Sequence, residues 1–425
     1  MIKKILFLIS FQFIFLKTID DNNNFKLGLE NIPEKLLKKL LTKKNGKLSG
    51  IGLITNQTGI DQNGKANYEI LLKKGLNIKA LYVPEHGFDG KVEAEKKINC
   101  NIEKKTKLPI ISLYEGDSKF KKFTNDDLKD IDFFIFDMQD SGMRHYTYIS
   151  ILYRMMEVAI KFNKKFIVLD RPNPLGIIME GPIVQPDLIS FISIAPIPLR
   201  HAMTIGELSK YFNKFQFNND LKLLIIKMKN YKRTRGLNNF LPIYLSPNLT
   251  NIQACCNYSF LGIMGEISPF SVLVGTKDSF KAIMLPKNLN LKIKDFIEFK
   301  NILKRNNISP TYFTCFKKGT NQKLVGFKIK INDINNFSGF NTIIEILKHF
   351  KKIGINLSYS KSFNKVIGRS DFKDFIEGIN NNFINIKNKE LKQFFENSQN
   401  LFIYQPLPIL RFFDSSFNEL RTGHA

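Results

Sequence analysis

The sequence IDFFIFDMQDSGMRHYTYISILYRMMEVAIKFNKKFIVLDRPNPLG, residues 131–176, contains two short apolar runs on either side of one amphipathic segment. The runs at residues 133–137 and 166–170 have the length of buried β-strands. In the segment between them, apolar side chains recur at helical spacing, at Ile149, Leu152, Tyr153, Met156, Ala159 and Ile160. A strand, a helix and a second strand in this order predict a parallel β–α–β unit.

The same alternation continues on both sides of this unit through the first half of the chain. Strands are predicted at residues 51–55, 78–83, 110–113, 133–137, 166–170 and 221–226. From about residue 240 the pattern changes to turn-rich segments, with a strand at residues 325–331 and helices near residues 342–352 and 391–397. The sequence therefore predicts an α/β domain with a mostly parallel sheet over residues 24–239, and a smaller α+β domain over residues 240–425.

Composition limits the class of partner. The chain has 425 residues, of which 43% are hydrophobic, so it can bury a sizeable core. Its formal charge of +26 comes from 64 Lys and Arg against 38 Asp and Glu, and the lysines are spread from end to end. A nucleic-acid binder concentrates arginine and aromatic residues on one face, so we predict no nucleic-acid partner. A polyanion such as a cell-wall polymer remains compatible with the charge.

The first twenty residues, MIKKILFLISFQFIFLKTID, resemble a secretory leader. Lys3 and Lys4 precede an apolar stretch over residues 5–16, which is too short to span a bilayer. We predict that residues 1–23 are a signal peptide or an uncleaved anchor, and that the protein is periplasmic or secreted, with membrane contact only through that leader. A buried amphipathic helix is the alternative.

No cofactor or metal is predicted. The chain lacks the G-x-G-x-x-G and G-x-x-x-x-G-K-[ST] patterns of nucleotide sites and the G-x-S-x-G pattern of serine hydrolases. His86, His145 and His201 lie on separate loops without ligand spacing. The four cysteines give no disulfide framework, so we predict that they are buried apolar side chains.

Polar residues follow several predicted strands, where ligands bind to parallel sheets. VPEHGFDG, residues 83–90, carries Glu85 and His86 at a turn after a strand. A carboxyl group in a cleft with apolar walls keeps its proton to higher pH, so Glu85 is the predicted general acid, with His86 beside the substrate. The alternative for Glu85 is a turn carboxylate that caps the next helix.

A second motif, FDMQDSGMRHYTYI at residues 136–149, combines acceptors, an amide and a guanidinium. This set suits a ligand with many hydroxyl groups, such as a sugar. The residues predicted to contact substrate are Asp137, Gln139, Asp140, Arg144 and Tyr146. Asp137 is equally consistent with a structural role, and an Asp140–Arg144 ion pair that holds the loop is the alternative for those two.

Further candidates come from three motifs: LDRPNPLG at residues 169–176, PLRHAMTIGEL at residues 198–208 and SPN at residues 246–248. They are Asp170, Arg171, Asn173, Arg200, His201 and Asn248. Prolines fix the backbone around the first three, which favours rigid presentation of their side chains. Asn248 is also consistent with an Asx-turn. Thr204 and Glu207 have the spacing of a helix capping box, so a structural role is predicted for Glu207.

Taken together, several motifs resemble those of the NamZ-like exo-β-N-acetylmuramidases. They are GLITNQTGID, LYVPEHGFDG, FDMQDSGMRHYTYI, VLDRPNPLG, PIPLRHAMTIGEL and LSPN, in the family's order. The resemblance implies a Rossmann-like domain, a smaller C-terminal domain and a cleft between them. It also implies hydrolysis that releases N-acetylmuramic acid from the non-reducing ends of peptidoglycan fragments, with Glu85 as the acid.

One segment departs from the family. Where relatives read E-G-T-N-x-S-x-G-R-G-T, residues 266–276 read EISPFSVLVGT. Glu266 is retained and is, with Asp140, a candidate second catalytic carboxylate. Pro269, Leu273 and Val274 replace Asn, Gly and Arg. Loss of the arginine removes a cation for the lactyl carboxylate. The chain is therefore predicted to be a glycosidase. The alternative is a relative that binds the sugar without cleaving it, and a third possibility is a structural protein bound to the cell wall.

Overall fold

The computed structural model describes residues 24–43, 46–84, 87–88, 102–115, 119–234, 244–289 and 291–412. The strands are β1 (Ile51–Thr55), β2 (Ile78–Val83), β3 (Ile110–Ser112), β4 (Tyr114–Glu115), β5 (Lys119–Phe120), β6 (Phe133–Asp137), β7 (Lys165–Leu169), β8 (Ile178–Ile183), β9 (Pro198–Arg200), β10 (Leu223–Ile226), β11 (Ile267–Ser268), β12 (Ala282–Pro286), β13 (Ile308–Phe316), β14 (Lys323–Ile331), β15 (Ser358–Tyr359) and β16 (Ile409–Arg411).

The α-helices are α1 (Glu34–Leu41), α2 (Asn67–Lys73), α3 (Tyr148–Lys161), α4 (Ile205–Phe215), α5 (Ile252–Met264), α6 (Ile293–Arg305), α7 (Gly339–Lys352), α8 (Phe363–Ile367), α9 (Phe372–Glu377) and α10 (Phe383–Ser398). Within the described residues, no helix is both long and apolar enough to cross a membrane. The predicted leader, residues 1–23, lies outside those residues, as does Cys100.

Six parallel strands form the main sheet in the order β10-β7-β6-β1-β2-β3. The chain lays β1, β2 and β3 outward to one side, then returns to place β6 beside β1 and adds β7 and β10 on the other side. The strand order thus reverses between β1 and β6. In open parallel sheets such a switch point forms a crevice at the carboxyl ends of the strands, where ligands bind.

The sheet strands are apolar because both of their faces are covered. Every residue of β1 and β6 is buried. Helix α3 packs one face with Ile149, Leu152 and Met156, which lie in the same apolar cluster as Phe134 and Phe136. The opposite face packs against Leu71 of α2 and Leu40 of α1.

The C-terminal half, residues 244–412, contains the antiparallel sheet β12-β14-β13 and the helices α5, α6 and α7. Phe299, Phe327 and Phe350 meet in its core. The predicted fold class, an α/β sheet domain with a smaller C-terminal α+β part, is confirmed. The domain limits at residues 24, 240 and 425 stay predictions.

A third sheet joins distant parts of the sequence. Strand β8 pairs with β9 in antiparallel orientation and with β16 in parallel orientation, so the end of the described chain returns to its first half. Leu401 and Tyr404 lie in the core of the parallel-sheet half. This return brings residues from beyond position 400 close to the ends of β7 and β10.

Candidate active site

Polar residues of two segments meet at the switch point. Thr55 at the end of β1 pairs with Asp137 at the end of β6, so both strands finish at the same level. Asn56 follows β1, and Gln139 and Asp140 follow β6. The Thr58 hydroxyl joins the segments because it donates to Asn56 Oδ1 at 2.6 Å and accepts from the Gln139 N–H at 2.9 Å.

Asp140 is held in one orientation. It is 5% exposed, and its Oδ2 accepts the Gly142 N–H at 2.7 Å and lies 3.4 Å from His201 Nε2. His201 Nδ1 accepts the Met203 N–H at 3.1 Å, so this nitrogen carries no proton. The imidazole proton is therefore on Nε2, which faces the Asp140 carboxylate.

Several buried polar atoms around Asp140 have no hydrogen-bond partner among the residues that the structure describes. They are Asn56 Nδ2, Gln57 Oε1, Gln139 Oε1, Asp140 Oδ1, His201 Nε2 and both ring nitrogens of His145. A buried polar group without a partner costs about 1–3 kcal/mol, so folded proteins rarely keep several together. The amide, hydroxyl and ring oxygens of a sugar are the groups that would complete this set.

The C-terminal half covers the site through α5. The His145 ring lies 4.7 Å from the Tyr258 ring, measured between centroids, and Cys255 Sγ is 3.8 Å from Ser141 O. A Cβ at Gly262 would come within 2.5 Å of His145 Nε2, so only glycine fits there. Burial, with a smaller contribution from the Arg144 charge, lowers the pKa of His145 to about 3. His145 is therefore neutral at physiological pH.

Arg144 and Arg200, both predicted to contact substrate, are fully buried and bind main-chain oxygens. Arg144 donates to Ser193 Oγ and to the carbonyls of Pro182, Ile197, Val366 and Ile367. The Asp140–Arg144 ion pair considered as an alternative is not found among the described residues. The charged or ionisable side chain near Asp140 is that of His201. Arg200 binds Glu180 Oε1 at 3.1 Å and the carbonyls of Leu175, Ile334 and Phe337. Both guanidinium groups tie the two halves of the molecule together.

Asp137 and Arg171 form a buried ion pair beneath the site. Arg171 Nε and Nη2 donate to the Asp137 carboxylate at 2.5 and 3.0 Å, and Asn67 Nδ2 adds a third bond at 2.8 Å. The side chains are 1% and 0% exposed. Arg171 Nη2 also donates to Ile60 O at 3.0 Å. This pair has the geometry of the structural role considered for Asp137.

Asp170 and Asn173 organise the loop after β7. Asp170 Oδ1 accepts the Gly206 N–H at the start of α4, and Oδ2 accepts the hydroxyls of Thr204 and Tyr404. Asn173 Oδ1 accepts the Leu175 N–H, and its Nδ2 donates to Met203 O at 2.9 Å. These hydrogen bonds give Asp170 and Asn173 a structural role in holding the loop after β7.

The buried Asp170 should make stability depend on pH. Burial, together with the nearby Glu207 carboxylate, raises the pKa of Asp170 to about 7, although hydrogen bonds from Tyr404, Gly206 and Thr204 act in the opposite direction. A pKa above the unfolded value means that the folded state loses stability as pH rises from about 4 to about 7. We expect Asp170 to contribute about 2 kcal/mol of this loss between pH 5 and pH 7.

Urea denaturation of the wild type and of Asp170→Asn at both pH values measures this contribution. The change between pH 5 and pH 7 should be smaller in the variant by that amount. Equal changes in the two proteins would show that Asp170 titrates as it does in the unfolded chain.

The remaining predicted residues lie around the site. Tyr146 donates its hydroxyl to Leu245 O at 3.0 Å. Asn248 Oδ1 accepts the Gly275 N–H at 2.9 Å and the Ser279 hydroxyl at 3.1 Å. These Asn248 contacts are with a distant loop and replace the local Asx-turn considered for it.

Two glutamates have well-defined partners. Glu266 Oε2 accepts the hydroxyls of Ser360 and Ser362, the latter at 2.7 Å. Glu207 forms the predicted capping box with Thr204, which is confirmed, and also binds Arg233 through both carboxylate oxygens.

Glu85 and His86 lie outside the described residues, so their roles stay predictions. The residues before them are described: Val83 ends β2, and β2 pairs directly with β1. Gly87 N donates to Pro84 O at 3.2 Å. The carboxyl end of β2 is thus next to the switch point, on the side away from β6.

Sequence reasoning missed Asn56, His145 and Tyr258 as candidate site residues. Asn56 follows a correctly predicted strand, so the rule that selected Asp140 could have selected it. His145 lies within a quoted motif, but its sequence neighbours do not indicate burial. Tyr258 lies on α5, whose apolar composition gives no sign that one of its rings faces a site.

Comparisons with known proteins agree with this architecture. Residues 51–253 match the family model described as exo-beta-N-acetylmuramidase NamZ, N-terminal, and residues 256–404 match the model described as exo-beta-N-acetylmuramidase NamZ, C-terminal. The peptidoglycan beta-N-acetylmuramidase NamZ of Bacillus subtilis (strain 168) is 33% identical over 371 residues, which cover 85% of this chain and 88% of that protein.

Two crystal structures of DUF1343 family proteins from Bacteroides fragilis NCTC 9343 share the fold. The first has a TM-score of 0.76 and 29% identity, and the second a TM-score of 0.67 and 24% identity. Each similarity covers 90% of this chain and 99% of the other. Because both family models match consecutive parts of the sequence, the chain belongs to the NamZ exo-β-N-acetylmuramidase family, a family of peptidoglycan glycosidases.

Proposed function

We propose that this protein is a glycoside hydrolase that releases N-acetylmuramic acid from the non-reducing ends of peptidoglycan fragments. Membership of the family supports the reaction class. The observation that carries the proposal is the Asp140 carboxylate at the switch point. One of its oxygens accepts the Gly142 N–H and faces His201 Nε2, and the other has no partner within the described part of the chain.

The proposed mechanism uses two carboxyl groups. Glu85 donates a proton to the glycosidic oxygen as the bond to the sugar breaks, and Asp140 stabilises the positive charge that develops on the sugar ring or activates water. A carboxylate with one unpartnered oxygen in a buried site interacts strongly with such a charge, because little water screens it. His201 Nε2 faces the Asp140 carboxylate at 3.4 Å.

Glu266 is the other candidate for the second carboxylate. Its Oε2 already accepts two serine hydroxyls, which reduces its capacity to act as a base or to stabilise charge. Asp140 is therefore preferred. Participation of the substrate's own acetamido group is a third route, in which a carboxylate would orient the acetamide.

A rival proposal is a relative that binds the sugar without cleaving it. Its motivation is the altered segment at residues 266–276. Val274 stands where the family has arginine and is 55% exposed, and Leu273 has a φ of 57°, a conformation that suits the family's glycine. This rival predicts that N-acetylmuramic acid binds and that no product forms.

The proposed location is outside the cytoplasm, in the periplasm or beyond, with an uncleaved leader as the one membrane contact. The leader-like residues 1–23 and a wall-derived substrate support this proposal. Fractionation of cells that express the full chain tests it. Recovery of the protein in the cytoplasmic fraction would contradict it.

The test of function is turnover of a chromogenic N-acetylmuramic acid glycoside and of the disaccharide MurNAc–GlcNAc. We expect the purified protein to release N-acetylmuramic acid from both. Asp140→Asn should lower kcat by about 10²-fold, in the range typical for loss of one catalytic group.

Asp126→Asn removes the same charge at an exposed position and is the matched control. Binding of N-acetylmuramic acid by the wild type without turnover would favour the rival. Turnover that is equal in wild type and Asp140→Asn would leave Asp140 outside the mechanism.

A further inference from the structure

A further cavity is lined by residues from both halves of the molecule. Its volume is about 370 Å³, and it is lined by Ser190, Phe191, Ile192, Lys361, Ser362 and Lys365. This volume is at the lower end of the range for small-molecule sites, and it is enough for a short acyl or peptide substituent. One wall comes from the loop between β8 and β9, and the other from the segment before and within α8.

Hydrogen bonds join the two walls to Glu266, to the first turn of α3 and to Arg144. Ser362 Oγ donates to Glu266 Oε2 at 2.7 Å. On the opposite wall, Ser150 Oγ in the first turn of α3 donates to Phe191 O at 2.5 Å. Ser193 Oγ, which accepts from Arg144 Nε at 3.1 Å, donates to Lys365 O at 2.6 Å. Through Ser193 and Arg144, the cavity wall is therefore hydrogen-bonded to the loop that carries His145.

The lining is suited to an anion. Lys361 and Lys365 both line the cavity and are exposed. Ser190 Oγ is buried and has no hydrogen-bond partner among the residues described by the structure. A carboxylate would accept hydrogen bonds from this hydroxyl and from the ammonium groups, whereas Phe191 and Ile192 would contact carbon atoms next to it.

We propose that this cavity binds the carboxylate-bearing substituent on the muramic acid, with Lys361, Lys365 and Ser190 as its ligands. The inference rests on the proposed function, because it supplies the identity of the sugar. Muramic acid differs from other amino sugars in its acidic lactyl ether, which carries the stem peptide when that peptide is present. The carboxylate can thus come from the lactyl group itself or from the attached peptide.

The test compares Lys361→Met/Lys365→Met with the control Lys300→Met/Lys304→Met. The control pair removes two lysines at the same spacing from α6, away from the cavity. The probes are an aryl N-acetylmuramic acid glycoside, its methyl ester, and the same glycoside carrying a dipeptide on the lactyl group. We expect about tenfold lower kcat/KM in the first variant for a probe with a carboxylate, and no change for the methyl ester or in the control.

The free-acid and dipeptide probes distinguish the two sources of the carboxylate. A tenfold loss with the free acid identifies the lactyl group, and a loss confined to the dipeptide probe identifies the peptide. Equal loss for acid and ester, or no loss with any probe, overturns the proposal.

Calorimetry with N-acetylmuramic acid and its methyl ester separates this inference from the proposed function. If the wild type cleaves nothing but binds the acid about tenfold more tightly than the ester, and the lysine variant loses that preference, the cavity is an anion site in a protein without turnover. Equal binding of the acid and ester by the wild type, or binding of neither, overturns the anion site even if turnover is observed.

Discussion

Glu85→Gln should reduce turnover of the disaccharide MurNAc–GlcNAc by about 10²–10⁴-fold, because glutamine has no proton to give to the departing sugar oxygen. The alcohol that leaves from a disaccharide is a poor leaving group without protonation. In an aryl glycoside the leaving group is an acidic phenol, which can depart as the phenolate without being protonated. The loss should therefore be much smaller for the aryl substrate than for the disaccharide, and steady-state assays with both substrates measure the difference.

The matched control is Glu34→Gln on α1, where the Glu34 side chain is 79% exposed. It should retain full activity on both substrates. If Glu85→Gln loses equal activity on the aryl glycoside and the disaccharide, Glu85 has another role in the site. If it loses none, the proton comes from another group.

Arg171→Met should destabilise the protein by about 3–5 kcal/mol, because it leaves the Asp137 carboxylate buried without its cation. Both side chains are at most 1% exposed, so water cannot replace the guanidinium. The free energy of unfolding from urea or guanidinium denaturation, at a pH where carboxylates are ionised, measures the effect. A value this large is a substantial part of the total stability of an ordinary domain.

Arg154→Met is the comparison, because Arg154 pairs with Glu157 at a distance of 2.8 Å with side chains that are 40% and 38% exposed. This exposed pair should contribute less than about 1 kcal/mol. The double variant Asp137→Leu/Arg171→Met should recover part of the stability that Arg171→Met loses, since no charge is then left alone. Similar losses for Arg171→Met and Arg154→Met would mean that Asp137 finds another partner or takes up a proton.

The parallel sheet could be predicted from sequence because its strands are buried on both faces. The predicted bounds of residues 51–55, 78–83 and 133–137 equal those of β1, β2 and β6. The helix predicted between the strands at residues 133–137 and 166–170 is α3 at Tyr148–Lys161, whose apolar stripe covers the sheet. In these elements the hydrophobic pattern and the tertiary burial coincide.

Elements with an exposed face were harder to predict. The first part of α10, which begins at Phe383, is rich in asparagine and lysine, a composition that is equally typical of a solvated loop. Strand β13 has one buried residue, Ile308, and its other residues are exposed or half-buried, with Tyr312 61% exposed, so it lacks a continuous apolar run. The three residues of β16 pair with β8, more than 200 positions earlier, and no local pattern can reveal such a partner.

At the candidate site, the sequence motifs indicated where polar side chains gather better than they indicated what each side chain does. The switch point does carry Gln139 and Asp140, as the motif after the strand suggested. The sequence could not show that the Arg144 guanidinium donates hydrogen bonds to the carbonyls of Val366 and Ile367, which lie over 200 residues away in the chain. A guanidinium can donate to a carboxylate or to several carbonyls, and the sequence does not show which of them the fold brings to it.

The return of the chain to its first half has a consequence for biosynthesis. Tyr404 donates its hydroxyl to Asp170, accepts the Met228 N–H and packs in the core beneath β7 and β10. Because Tyr404 is synthesised long after the strands of the parallel sheet, the nascent sheet lacks this part of its core until residue 404 has left the ribosome. A chain that terminates near position 400 would therefore lose the Tyr404 hydrogen bonds to Asp170 and Met228 together with this part of the core.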